Sequence, residues 1–156
     1  MIQVQHFLQE ENKSCVPASV RMVLDFLGIQ RSELEISAAL DSKKEGTSVM
    51  NIELLPATGW GVKVWTGEMS TKKLKEYLDQ GVPVITAVWT GALPYWTANH
   101  PHAIVIIGYD EKSVYLNDAK FHDAPKTVSW DNFLATWEDF GTFGGIITTM
   151  SRSIVA

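Results

Sequence analysis

The chain carries its only cysteine in the stretch Gln9-Glu10-Glu11-Asn12-Lys13-Ser14-Cys15-Val16-Pro17-Ala18-Ser19. Ser14 is a typical N-cap residue, and Pro17 is tolerated in the first turn of a helix because its missing N–H would have no partner there. The stretch therefore predicts a helix that begins at or beside Cys15. Gly28 is expected to end this helix. Before it, apolar residues continue at helical spacing, namely Val20, Val23, Leu24 and Leu27.

The remainder of the chain changes from helical to strand periodicity after Gly59. We predict further helices at 32–40, 48–57, 70–80 and 130–137, the first of them with Ser32 and Glu35 in capping-box spacing. Strands are predicted where Val, Ile and Tyr are frequent, at 61–66, 83–88, 103–109, 113–117, near Thr127 and at 144–149. The polar turn Asp110-Glu111-Lys112 predicts an antiparallel hairpin. This order predicts an α+β fold, in which an N-terminal helical part packs on an antiparallel sheet.

Composition narrows the class of protein. A chain of 156 residues with 46% hydrophobic and 20% charged residues fits one ordinary globular domain, here residues 1–156. The formal charge of −5 and the scattered Lys and Arg residues argue against a nucleic-acid partner. No apolar run approaches the roughly 18 to 20 residues that span a bilayer. The N-terminus lacks a basic leader and an apolar stretch, so we expect no signal peptide and a cytoplasmic location.

A lone cysteine is either an inert core residue or a reactive one. One cysteine excludes an intramolecular disulfide and a zinc site built on several thiolates. A thiol at a helix N-terminus loses its proton more easily, because unpaired backbone N–H groups and the helix dipole favour negative charge there. The thiolate is the nucleophilic form, so the position of Cys15 favours a reactive role.

Three other residues complete a candidate catalytic set. His102 opens the most apolar predicted strand, and Asp118 follows the next strand, so the hairpin would bring the carboxylate beside the imidazole and fix its tautomer. Gln9 lies six residues before Cys15, close enough to offer its amide to an oxyanion together with the Cys15 N–H. Each residue alone has an ordinary alternative: a structural histidine, a turn aspartate, a surface glutamine.

The loop between the strands at 83–88 and 103–109 is rich in aromatic residues and ends just before His102. We expect Trp89, Trp96 and His100 to border a substrate groove, because loops on a rigid scaffold often carry recognition; the alternative is that the aromatics fill a minor core. A zinc site is also conceivable. The potential zinc ligands are Cys15, His100, His102, Asp118 and His122. The sequence does not favour a zinc site, since the candidate catalytic set already uses Cys15, His102 and Asp118.

These motifs resemble those of papain-like cysteine peptidases. The stretch from Gln9 to Ser19 is similar to their nucleophile motif, and within the group the chain most resembles the peptidase C39-like domains, related to the bacteriocin-processing peptidases of export transporters. The resemblance covers roughly residues 4–149. Val16 stands where many relatives have glycine, and Ala119 where proline is common. The other matching pieces are Gly81-Val82-Pro83-Val84-Ile85, His102-Ala103-Ile104-Val105-Ile106-Ile107-Gly108-Tyr109-Asp110 and Asn117-Asp118-Ala119.

The resemblance implies a papain-like fold and a cysteine peptidase that cleaves a peptide or isopeptide bond without a cofactor or metal. It assigns Cys15 as nucleophile, His102 as base, Asp118 as the residue that orients the base and Gln9 as oxyanion donor. It also implies peptide or protein substrates with small residues such as Gly-Gly before the cleaved bond. Two alternatives stay open: an acyl transferase with the same triad, and a catalytically silent module that binds a peptide.

Overall fold

The helical elements follow the predicted positions closely. The computed structural model describes residues 1–154, so residues 155 and 156 of the predicted single domain lie outside the described part. The predicted capping box is present, with the Ser32 hydroxyl and the Glu35 carboxylate each accepting from the other's backbone N–H. The α-helices are α1 (Cys15–Phe26), α2 (Glu33–Ala39), α3 (Thr71–Asp79) and α4 (Trp130–Asp139).

One predicted helix has a different form. The prediction at 48–57 is met by a 3₁₀ segment at Val49–Thr58, entered through Ser48, whose hydroxyl accepts the Met50 N–H at 3.3 Å. Pro56 lies inside this segment, and its ring would clash with the carbonyl group four residues back in an α-helix, which disfavours that form here. Gly59 ends the segment with a left-handed φ of 81°.

The strands of the described residues form one antiparallel sheet in the order β1-β6-β2-β3-β4-β5. The predicted hairpin is confirmed: β3 and β4 pair antiparallel, with a register shift between Ile106 and Gly108. Because Val105 lies opposite Asn117, the end of β4 lies near the start of β3. The strands are β1 (Val62–Glu68), β2 (Val84–Trp89), β3 (Pro101–Tyr109), β4 (Ser113–Asn117), β5 (Lys126–Ser129) and β6 (Phe143–Thr149).

Two apolar clusters hold the sheet between layers of helices. On one face, α1 and α2 pack with the 3₁₀ segment on residues such as Ile85, Ala103 and Val105. On the other face, α3 and α4 pack on residues such as Ile104 and Ile106. Strand β3 is therefore covered on both faces, which explains why it reads as an unbroken apolar run.

The N-terminus of α1 departs from the prediction in one detail. Ser14 occupies the N-cap position, but its hydroxyl does not cap the helix. It turns back to Glu11, accepting that residue's N–H at 3.0 Å and donating to its carbonyl oxygen at 2.9 Å. The serine thus fixes the loop that leads into Cys15 and leaves the first N–H groups of α1 without a side-chain acceptor.

Candidate active site

Cys15 and His102 meet where α1 packs on β3. Cys15 is the first residue of α1, and His102 is the second residue of β3. Burial raises the pKa of the thiol, and the adjacent His102 ring and Ala103 backbone N–H lower it. Each residue thus occupies the end of an element whose remaining residues are anchored in the core.

Asp118 completes a line of three polar side chains. His102 Nε2 lies 2.7 Å from Asp118 Oδ1, and the two side chains are 5% and 0% exposed. Since Nε2 is committed to the carboxylate, the other ring nitrogen, Nδ1, is the one left to bond the thiol. The imidazole therefore stands between a thiol and a buried carboxylate, the arrangement in which a third group orients a general base.

The protonation states of the three groups are tied together. Burial would lower the pKa of His102, but its hydrogen bonds to Asp118 and Cys15 and their negative charge raise the pKa to about 9. Burial would raise the pKa of Cys15, and the hydrogen bond and charge of His102 bring it below its ordinary value. Burial would likewise raise the pKa of Asp118, but His102 lowers it. These directions favour a thiolate–imidazolium pair beside an ionised carboxylate at neutral pH.

The Asp118 carboxylate accepts three further hydrogen bonds. Its Oδ1 accepts the Lys120 N–H at 3.0 Å, and its Oδ2 accepts the Tyr95 hydroxyl at 2.9 Å and the Trp96 indole N–H at 3.1 Å. The Trp96 ring also packs on the His102 ring, with centroids 4.9 Å apart. Sequence reasoning missed these roles of Tyr95 and Lys120; the only signal for Tyr95 was a hydroxyl-bearing aromatic in the loop just before His102.

Two cavities meet at the Cys15–His102 pair. The first, of about 540 Å³, is mainly apolar and includes Val49, Met50 and Phe140 in its wall. The second, of about 680 Å³, is more polar and includes Gln9 and His100. Both cavities share a small set of lining residues at the junction between them, namely Cys15, Thr47, Ser48, Pro101 and His102. Cys15 and His102 thus lie at the junction of the two cavities.

Gln9 lines the 680 Å³ cavity, but its amide faces the loop that follows it and leads into Cys15. Its Nε2 donates to the carbonyl oxygens of Glu11 at 2.8 Å and Asn12 at 3.0 Å. Its Oε1 is buried without a hydrogen-bond partner. The Gln9 backbone N–H donates to Ala119 at 2.9 Å, which ties this segment to the residue after Asp118. Both amide protons would have to leave the loop carbonyls, or be shared with them, to reach an oxyanion.

The other predicted substrate residues divide into two groups. Trp96 and His100 line the 680 Å³ cavity, with their rings 6.3 Å apart, although the indole of Trp96 is directed to Asp118. Trp89 is outside the walls of both cavities. Its ring instead packs 6.2 Å from that of Phe140, which does line the 540 Å³ cavity.

The two residues that depart from the resemblance are both buried. Val16 is 4% exposed and lines the 540 Å³ cavity, so its side chain forms part of the apolar wall beside Cys15. Ala119 is fully buried, and its carbonyl oxygen is the acceptor of the Gln9 N–H.

A helix that starts at a cysteine and packs on an antiparallel sheet carrying the histidine defines the papain-like fold of cysteine peptidases. The chain belongs to the Peptidase_C39 like family, whose sequence model matches residues 1–144. No curated protein sequence matches the chain. None of the helices in the described residues 1–154 has the length and apolar character needed to cross a membrane.

Solved structures agree on the fold. A candidate C39-like peptidase from Bacillus anthracis has a TM-score of 0.77 at 17% identity, covering 97% of this chain and 98% of its own. The peptidase domain of Streptococcus ComA, a bifunctional ABC transporter of a quorum-sensing pathway, has a TM-score of 0.76 at 17% identity. The match covers 94% of this chain and 99% of that domain. A double glycine motif protease from an AMS/PCAT transporter, solved with a leader peptide, has a TM-score of 0.73 at 19% identity. The match covers 95% of this chain and 93% of that protease. At these identities the likeness establishes the papain-like fold.

Proposed function

We propose that this protein is a cysteine peptidase that hydrolyses a peptide or isopeptide bond through Cys15, His102 and Asp118. The observation that carries the proposal is the 2.7 Å hydrogen bond between His102 Nε2 and Asp118 Oδ1, with the other side of the imidazole adjacent to the Cys15 thiol, whose pKa it lowers. Cys15 and His102 line both cavities, which offer room for an extended peptide beside the thiol. The family membership supports the same reaction.

Acylation begins with the thiolate–imidazolium pair. The Cys15 sulfur attacks the carbonyl carbon of the cleaved bond, and the His102 imidazolium gives its proton to the leaving nitrogen as the carbon–nitrogen bond breaks. A thioester on Cys15 and a free amine result. Neutral His102 then takes a proton from a water molecule, whose oxygen attacks the thioester carbon. The carbon–sulfur bond breaks, the acid leaves, and the Cys15 thiolate and His102 imidazolium are restored. Asp118 holds the imidazole in the orientation that both steps need.

The proposed substrate is a peptide with small residues, such as Gly-Gly, before the cleaved bond. The apolar 540 Å³ cavity would accept apolar side chains farther along the peptide. The similar double glycine motif protease, solved with a leader peptide, supports this substrate class.

Cleavage of quenched fluorescent peptides with a central Gly-Gly tests the proposal. We expect hydrolysis by the wild type and none by Cys15→Ala, with products assigned by mass spectrometry. Repeating the reaction with an added amine separates hydrolysis from transfer: an amide product in place of the acid would identify an acyl transferase. Binding of the peptides without cleavage, together with an unreactive Cys15, would instead indicate a silent peptide-binding module.

Gln9 provides a separate test of the oxyanion site. We expect Gln9→Ala to lower kcat by about 10²-fold, because the loss of one oxyanion donor removes stabilisation mainly in the transition state. Alkylation of Cys15 by iodoacetamide, which needs no oxyanion donor, should change little. Gln5→Ala, which changes an exposed glutamine in the same N-terminal segment, is the matched control. An unchanged kcat in Gln9→Ala would show that the amide stays with the Glu11 and Asn12 carbonyl oxygens during turnover.

A further inference from the structure

The loop between β2 and β3 is built to hold a fixed shape over Asp118. The Thr90 hydroxyl donates to the Ala98 carbonyl oxygen at 2.6 Å and accepts the His100 N–H at 2.9 Å. The Asn99 side-chain oxygen accepts the Gly91 N–H at 2.9 Å. These bonds close the base of the loop, so the residues at its tip have a defined position relative to β4.

The tip of the loop places two donors on one oxygen of Asp118. The Tyr95 hydroxyl and the Trp96 indole N–H both donate to Oδ2, while Oδ1 takes His102 and the Lys120 N–H. Rotation of the carboxylate would break several of these bonds together. Because Asp118 is fully buried, water would not easily replace the lost donors. The orientation of the carboxylate is therefore set by groups that belong to a different part of the chain.

We propose that Tyr95 is a positioning residue of the active site: its hydroxyl holds Asp118 in the orientation in which Oδ1 meets His102. This inference rests on the proposed function, to which it adds a residue that acts through Asp118. Tyr95 does not touch the thiol and does not line either cavity beside it. Its effect on catalysis passes entirely through the Asp118–His102 bond.

The hydroxyl of Tyr95 can be removed with little change to packing. The ring is held by an edge-to-face contact with Phe121, with centroids 5.2 Å apart, and by Lys126, whose Nζ lies 4.9 Å from the ring centroid. Both contacts involve the ring and persist in Tyr95→Phe. Burial and the neighbouring Asp118 charge raise the pKa of Tyr95, so the hydroxyl keeps its proton and remains a donor across the working pH range.

The test is the rate of Cys15 alkylation by iodoacetamide against pH in Tyr95→Phe. With one of its four donors lost, Asp118 is held less firmly and takes a proton more readily, and either change weakens its hold on the His102 imidazolium. The thiolate then forms only at higher pH. We expect the profile to move up by about one pH unit, so that alkylation at pH 6 slows by about 10-fold, the size expected for a hydrogen bond to a charged group. With the Gly-Gly peptides, kcat should fall by a similar factor while KM is unchanged.

Tyr109→Phe is the matched control. Tyr109 also donates its hydroxyl to a carboxylate, Asp79 Oδ1 at 2.8 Å, but this pair lies outside both cavities and bonds none of the three catalytic groups. We expect this variant to retain the wild-type alkylation profile and kcat. A loss of reactivity caused by general loosening of the fold would appear in both variants, and thermal unfolding measures that effect directly.

The outcomes separate this inference from the proposed function. A wild-type thiol that reacts below pH 7, with a Tyr95→Phe profile that coincides with it or moves to lower pH, overturns the role of Tyr95 and leaves the peptidase proposal intact. A wild-type thiol that does not react below pH 7 contradicts both the role of Tyr95 and the peptidase proposal. Should Tyr95→Phe fail to fold, Trp96→Phe removes the other donor to Oδ2 and keeps an aromatic ring beside His102. A profile of that variant equal to wild type would also overturn the inference.

Discussion

Cys15 should be alkylated by iodoacetamide well below pH 7 in the wild-type protein, and His102→Ala should abolish this reactivity. The hydrogen bond and positive charge of His102 outweigh burial and lower the pKa of the thiol, so its removal leaves burial to raise that pKa. An ordinary thiol with a pKa of about 8.5 is roughly 0.3% thiolate at pH 6. We therefore expect the rate at pH 6 to fall by about 100-fold or more, since the thiolate is the reacting species.

The single cysteine makes this measurement direct. Mass spectrometry of the intact protein counts one alkylation event, which is assigned to Cys15 without proteolytic mapping. His122→Ala is the matched control, because His122 is exposed and lines neither cavity beside the thiol. Slow alkylation of the folded wild type, rising only when the protein is unfolded, would identify Cys15 as a structural thiol and contradict the proposed mechanism.

The approach of His102 to Asp118 could be predicted from the sequence because it depends on hairpin topology. An apolar strand, a short polar turn and a second strand predict antiparallel pairing, and antiparallel pairing brings the start of β3 near the end of β4. The observed register, with Val105 opposite Asn117, has this consequence. The bulge between Ile106 and Gly108 was not predicted, since periodicity carries no information on a one-residue shift.

The side-chain partners of Gln9, Ser14 and Tyr95 could not be predicted in the same way. Each depends on the path of an irregular segment, where a local carbonyl or a distant carboxylate competes for the same donor. Ser14 has the residue type of an N-cap but bonds Glu11, and Gln9 has the spacing of an oxyanion donor but bonds the carbonyl oxygens of Glu11 and Asn12. Periodicity and spacing place such residues near the site without fixing the direction of their donors.

Asp118→Ala should lower kcat/KM for the Gly-Gly peptides on the order of 10³-fold. Loss of the carboxylate leaves the His102 imidazole without the acceptor that fixes its tautomer and stabilises its charge. It also leaves three part-buried donors without their acceptor, namely the Tyr95 hydroxyl, the Trp96 indole N–H and the Lys120 N–H. A buried donor without a partner costs about 1–3 kcal/mol. We therefore expect a lower free energy of unfolding as well, measured by chemical denaturation.

Asp118→Asn separates orientation from charge at the same position. The amide oxygen can still accept from His102 Nε2 when the NH₂ group faces Tyr95 and Trp96, where the tyrosine hydroxyl can turn to accept but the indole N–H loses its acceptor. The negative charge that raises the pKa of His102 is lost in either orientation. We expect kcat/KM to fall less than in Asp118→Ala, and the alkylation profile of Cys15 to move to higher pH because the imidazolium partner of the thiolate is less stable. Asp139→Ala, at an exposed carboxylate on α4, should leave both measurements unchanged. Equal activity in Asp118→Ala and wild type, with both folded, would mean that Asp118 holds the β2–β3 loop rather than the imidazole.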